Sequence, residues 1–295
     1  FAAIIAGWAQ HILNIHSRSI PPKPTQAACF KWDTKIKTKE GCKNIKDLLP
    51  GDVLYNDSKV TATFKLLTND VKLYNLYDVI VTGSHYVFHE DNGWVQVKDH
   101  PDSIETSCCE QYVYCINTSN KRIEINGIEF LDWDDIETVD IFKLKNLDLL
   151  PNSSGFSDIH KYLDYGFDGN HMVETINGNS VKLKDLVLND QLNNGERVIG
   201  VVKIDINDIS TIKKFLFKNN IELTSTDNIN VMDTYLAEYN RIIDEMDIDK
   251  TDMEYLYNII TDTGYYTING IKVGDYNSAI EKIIDLRNEI NNAFS

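Results

Sequence analysis

Short runs of alternating apolar and polar residues dominate the chain from residue 29 to residue 277. Thr34-Lys-Ile-Lys-Thr38 alternates, a turn at Gly41 follows, then a short apolar turn, Gly51-Asp52, and a further strand expected from Val60 to Leu66. Asn126-Gly127 and Asn269-Gly270 are strong two-residue hairpin signals, because a type I′ turn needs positive φ at both positions. Helical spacing is rarer. Leu236, Tyr239, Ile243 and Met246 predict one helix over 233–246, read as an insertion. Ala279, Ile283, Leu286, Ile290 and Phe294 predict another over 278–294, with Ser278 and Glu281 as its capping box. Ile5, Trp8, Ile12 and Ile15 share one face near the start of the chain. The pattern is that of a mainly β fold with a few amphipathic helices.

The elements recur. Asn269-Gly270-Ile271 follows Asn126-Gly127-Ile128 by 143 residues (269 − 126), and Lys184-Asp185-Leu186 follows Lys46-Asp47-Leu48 by 138 (184 − 46). Between them, Thr224-Ser-Thr-Asp227 follows Thr82-Gly-Ser-His85 by 142 (224 − 82). Three patches in one order with nearly constant offsets indicate a duplication. The expected organisation is an N-terminal segment over 1–28, a first domain over 29–139, a connection over 140–169, a second copy over 170–277 and a C-terminal helix over 278–295.

Composition narrows the function. Hydrophobic residues at 42% support packed cores, and 45 acidic against 29 basic residues give a net charge of −16. That charge argues against general nucleic-acid binding, which needs a basic footprint; the cluster of Lys35, Lys37, Lys39, Lys43 and Lys46 reads as a solvated strand face. Five cysteines (Cys29, Cys42, Cys108, Cys109 and Cys115) lack zinc-ligand spacing, so no metal and no cofactor are expected, and a reducing compartment is favoured. No run is long and apolar enough to span a membrane. The chain opens at Phe1, so membrane association is expected only through an anchor further upstream; the 1–15 stretch otherwise suits a partner-packing helix.

The residues from Cys29 to Val53 resemble the opening block of Hint (hedgehog/intein) domains: a cysteine, a Thr-x-Ile-x-Thr strand, a turn glycine, an Ile-x-Asp-Leu turn and Gly51-Asp52. Residues 77–88, followed by Gly93-Trp94, resemble the family's second block with its Thr-x-x-His signature, here Thr82 and His85. The hairpins ending at Trp133 and Tyr276 resemble the closing block. The resemblance covers 29–137 and, more weakly, 170–277. The two-copy layout is similar to Hint-containing proteins of large DNA viruses, which implies a virion or the cytoplasm of an infected cell.

The resemblance implies a duplicated Hint-type β fold and a self-processing site. Independently of it, a cysteine held on a turn can attack the carbonyl of its preceding residue and convert a peptide bond to a thioester. That bond is Ala28–Cys29. His85 is the candidate proton donor to the leaving nitrogen, and Thr82 is expected to orient it or to donate a hydrogen bond to the amide. Inteins end in a His-Asn pair; the matching positions here are Leu131-Asp132 and Gly274-Asp275, so complete splicing is not expected. Cys115 stands where many family members have an aspartate, and in the second copy Asp227 is matched to His85. Two function classes follow. One is autoprocessing that cleaves or ligates an upstream segment of this chain or another protein. The other is a silent Hint scaffold serving structure or assembly, as in a virion.

Overall fold

The computed structural model describes residues 28–68, 71–136, 141, 145, 150–232, 241–250 and 253–278. The expected helices at the N-terminus and beyond Ser278 lie outside them, apart from a first turn at 276–278 where Asp275 Oδ1 accepts the Ser278 N–H at 3.0 Å.

The first copy opens with the hairpin β1 (Lys35–Thr38) and β2 (Gly41–Asn44), followed by a 3-10 turn, Ile45–Asp47, and the long strand β3 (Val60–Leu67). Strands β4 (Leu73–Leu76), β5 (Val79–Thr82) and β8 (Ile104–Glu105) form one small sheet. Strands β6 (Tyr86–His89), β7 (Gly93–Gln96), β10 (Arg122–Ile125) and β11 (Ile128–Leu131) form another. Strand β9 (Tyr112–Thr118) pairs with β3. The hairpin between β10 and β11 turns at Asn126 (φ 54°) and Gly127 (φ 80°), the positive-φ pair that the Asn-Gly signal demands.

The second copy repeats this. Strands β13 (Met172–Glu174) and β14 (Ser180–Lys182) form the opening hairpin, and β15 (Val198–Asp205) and β19 (Tyr255–Thr261) the long pair. β20 (Tyr265–Ile268) and β21 (Ile271–Gly274) close it, turning at Asn269 and Gly270. Burial agrees position by position: β3 and β15 share one pattern of buried and half-buried residues, and β9 and β19 share another. The fold is mainly β and duplicated, as the alternation and the three patches imply.

Two details depart from the sequence reading. Of the helix expected over 233–246, residues 233–240 lie outside the described residues, and Ile242–Asp247 is an edge strand, β18, paired with β16 (Ile212–Phe217), with Ile243 and Met246 exposed. Its Asp244, Glu245 and Asp247 sit along Lys213 and Lys214 of β16, and Lys213 Nζ bonds Glu245 at 2.8 Å; charge on both strands suits an open sheet edge. The alignment of the Thr82–His85 patch with the second copy also shifts. Phe167, on β12 (Phe167–Asp168), bridges Tyr257 and Ser225 as Phe30 bridges Tyr114 and Val81. The counterpart of Thr82 is therefore Thr226 on β17 (Glu222–Thr226), not Thr224. Ile229, not Asp227, falls at the spacing of His85.

The copies join through one eight-stranded sheet ordered β18-β16-β17-β12-β19-β15-β3-β9. β15 starts 138 residues after β3 (198 − 60), and Val202 pairs with Phe64, its own counterpart at the same offset (202 − 64); Gly200 meets Leu66 and Ile204 meets Ala62. That register is self-complementary, the signature of a local two-fold. The aromatic residues around it obey the same relation. Phe64 packs on Trp133 (centroids 4.9 Å apart) and on its counterpart Tyr276 (5.1 Å). Trp133 Nε1 donates to Asn277 of the second copy at 3.0 Å, while the Tyr276 hydroxyl lies 3.5 Å from Asp134 of the first.

Candidate functional site

The site is built where the start of the first copy meets three strands. Phe30 exchanges both main-chain hydrogen bonds with Tyr114 of β9 (2.8 and 2.9 Å) and bridges to Val81 of β5, fixing the residues just before it. Thr82, the last residue of β5, then holds Cys29 twice. Its N–H donates to the Cys29 carbonyl at 2.8 Å, and its Oγ1 accepts the Cys29 N–H at 2.9 Å. Thr82 was expected to orient His85 or to donate to the scissile amide; its hydroxyl oxygen instead accepts the amide hydrogen, anchoring the Ala28–Cys29 peptide through its nitrogen.

His85 enters from the turn after β5, its N–H on the Thr82 carbonyl at 3.2 Å. The ring is fully buried and packs on Phe30 (centroids 4.5 Å apart) and edge-on to Phe130 of β11 (5.6 Å). Nε2 lies 2.8 Å from the Leu131 carbonyl, and Nδ1, also buried, has no hydrogen-bond partner among the described residues. Burial pushes the imidazole down to about 4, and the Leu131 and Ala28 carbonyls beside it act in the opposite sense. A neutral ring that bonds a carbonyl through Nε2 must carry its hydrogen there, which leaves Nδ1 as a lone pair. Cys29, Thr82 and His85, nominated from 53 and 56 residues apart in sequence (82 − 29 and 85 − 29), thus lie around one peptide bond, with Ala28 buried as well.

Sequence reasoning missed several neighbours. Phe30 and Phe130 wall the imidazole, the Leu131 carbonyl sets its tautomer, and Cys115 neighbours Cys29. The Cys115 thiol is pushed well up by burial first and then by the hydrogen bond and charge of the Cys29 thiol. Among the described residues no cluster of three or more His, Cys, Asp and Glu side chains is arranged to hold a metal ion.

The second copy keeps the frame and lacks the groups. Gly166 stands at the place of Cys29: its N–H lies 3.3 Å from Thr226 Oγ1, and its carbonyl accepts the Thr226 N–H at 3.1 Å. A Cβ on Gly166 would come within 2.7 Å of Ile204 Cδ1 and 3.0 Å of Leu256 Cβ, so a side chain there would force both neighbours to shift. Asn258 takes the place of Cys115 and donates to the Tyr165 carbonyl at 2.9 Å, with the Tyr266 hydroxyl on its Oδ1 at 3.0 Å.

Solved structures that resemble this chain include inteins. The gp41-1 intein is 14% identical, with a TM-score of 0.30, and the match covers 37% of this chain and 98% of that one. A DnaB intein from Synechocystis sp. PCC 6803 is also 14% identical, with a TM-score of 0.30, over 38% of this chain and 99% of that one. No protein-family model matches the chain, and no curated protein does.

Proposed function

We propose that the first copy is a Hint-type autoprocessing domain that forms a thioester at Ala28–Cys29 and cleaves there without splicing. The observation that carries this reading is the double grip of Thr82 on Cys29 beside a buried, neutral imidazole. In the first step Cys29 Sγ attacks the Ala28 carbonyl carbon, the S–C bond forms and the C–N bond breaks. Nδ1 of His85 takes the thiol proton and returns it to the departing nitrogen, which becomes the free amine of Cys29. Thr82 Oγ1 keeps that nitrogen in place meanwhile. Water, or an added thiol or hydroxylamine, then attacks the thioester and regenerates the Cys29 thiol, releasing a segment that ends at Ala28. Release at the other end has no asparagine to drive it, since Asp132 and Asp275 occupy the matching positions and are held in place by Thr118 and Thr261 N–H bonds (3.0 and 2.9 Å).

The test is intact mass after incubation with hydroxylamine or dithiothreitol. Wild type should lose the segment upstream of Cys29, and Cys29→Ala should lose nothing. His85→Ala should be slower by ~10²- to 10⁴-fold, the usual worth of a positioned acid or base. A second reading, a Hint scaffold without turnover that serves assembly, draws support from the second copy, where the same frame is retained around a sealed position. A wild type that stays whole under every condition would leave that reading standing. Cleavage that persists in Cys29→Ala would point to a contaminating protease.

A further inference from the structure

We propose that Cys29 and Cys115 are a disulfide-forming pair, so that oxidation by a small peroxide locks the nucleophile away and reduction returns it. The regulatory part rests on the proposed role of Cys29; the bond itself does not.

The geometry comes from strand register. Because Phe30 and Tyr114 exchange both main-chain hydrogen bonds, they form a hydrogen-bonded antiparallel pair. The next pair along, Cys29 opposite Cys115, is then a non-hydrogen-bonded one, where Cα atoms stand ~4.5 Å apart and side chains are closest. That separation falls inside the ~4.4–6.8 Å range that a disulfide accepts without moving the backbone. Both thiols are free and buried in one core cluster, the Cys29 thiol is among the groups that raise Cys115, and Cys115 Sγ lies 3.6 Å from the Ile116 carbonyl. The remaining cysteines are elsewhere: Cys42 and Cys109 are exposed, and Cys108 is half-buried with its thiol toward Glu110.

The chemistry balances with hydrogen peroxide, which is small and uncharged and so suited to a buried pair. Peroxide oxidises Cys29 to its sulfenic acid, releasing one water. The balance is the same whichever of the two thiols is oxidised first. Cys115 Sγ then attacks the sulfenic sulfur, and its proton leaves with the hydroxyl as a second water. The protein loses two hydrogens and the peroxide is reduced. With Sγ of Cys29 tied to β9, it has no lone thiol to offer Ala28. The serial position of Cys115, opposite the nucleophile rather than merely near it, makes the pair specific.

The experiment treats the reduced full chain with hydrogen peroxide, then digests it without reductant and maps the peptides by mass. The expected product is a cross-linked peptide joining Cys29 to Cys115, lighter by two hydrogens and separated by a phosphine; Cys109→Ser should form it equally. Hydroxylamine, which does not reduce disulfides, reports cleavage in parallel. Oxidised wild type should fall to the level of Cys29→Ala and recover after phosphine. Peroxide-treated protein that yields no such peptide, with Cys29 recovered as thiol or as sulfinic acid, would overturn the proposal. A cross-linked peptide in a chain that never cleaves, reduced or oxidised, would uphold the disulfide and sink the autoprocessing reading.

Discussion

His85 shows how one side chain links protonation, stability and chemistry. Unfolded, an imidazole takes a proton below about pH 6.5; folded, this ring is pushed down to about 4 by burial. Between those values the unfolded state binds the extra proton. The contribution of His85 to stability is therefore complete above pH 6.5 and drains away as pH falls toward 4, by up to about 3 kcal/mol. Urea midpoints of wild type and His85→Gln at pH 7 and pH 4.5 should show the acid loss reduced in the variant. An equal loss in both would mean the ring is not neutral in the fold. Thr82→Val keeps shape and removes the acceptor for the Cys29 N–H. It should cost about 1–3 kcal/mol for the buried donor left unpaired, and should slow cleavage while leaving the cysteine reactive to an alkylating reagent on unfolding. The grouping of Cys29, Thr82 and His85 was legible in the sequence because their residue types and order match one motif. Cys115 and the Leu131 carbonyl were not, since what makes them neighbours is strand register across many residues.

At the scale of elements, local signals were read faithfully where the turn chemistry is strict. Asn126-Gly127 and Asn269-Gly270 turn as required, and Gly127→Ala should destabilise by about 1–2 kcal/mol from positive φ alone, since nothing lies within 4 Å of the added Cβ. Gly166→Ala should do as much or more by a different route, forcing Ile204 and Leu256 apart. By the same clash Gly166→Cys should lower the thermal midpoint and create no second cleavage site, which intact mass would register. Signals failed where short apolar runs are ambiguous. Ile243 and Met246 recur at helical spacing yet belong to an edge strand, where pairing with β16 decides the conformation. Thr224 and Thr226 lie two apart on one strand, so their side chains share a face, and only the bonds to Gly166 tell which corresponds to Thr82.

Across the whole molecule, a buried ionic hub fastens the two copies and the segment between them. Lys121 Nζ lies 2.7 Å from Asp134 and 3.4 Å from Asp132, all fully buried. The Asn117 amide nitrogen reaches Asp134 (3.0 Å), Asp164 (3.1 Å) and the Tyr276 hydroxyl (2.8 Å). Burial pushes Asp132 up to about 7 and Asp164 up to about 6, while the Lys121 charge opposes the rise. Lys121→Met should cost about 3–5 kcal/mol at pH 7, because it strands carboxylates in the core, and less at pH 5, where they can protonate. Equal losses at both pH values by urea denaturation would show that the hub is not charged as described. The duplication was plain from three patches, but neither the hub nor the pairing of β3 with β15 has any mark in a single sequence. That pairing has a consequence for what each half is free to become. With Val202 set against Phe64 on the two-fold, each copy serves as the other's missing edge, so the second is indispensable as masonry even where it is mute as a reagent. Substitutions at Gly166 or Ile229 answer to packing alone, whereas changes at Phe64, Val202, Trp133 or Tyr276 are felt on both sides of the dyad at once.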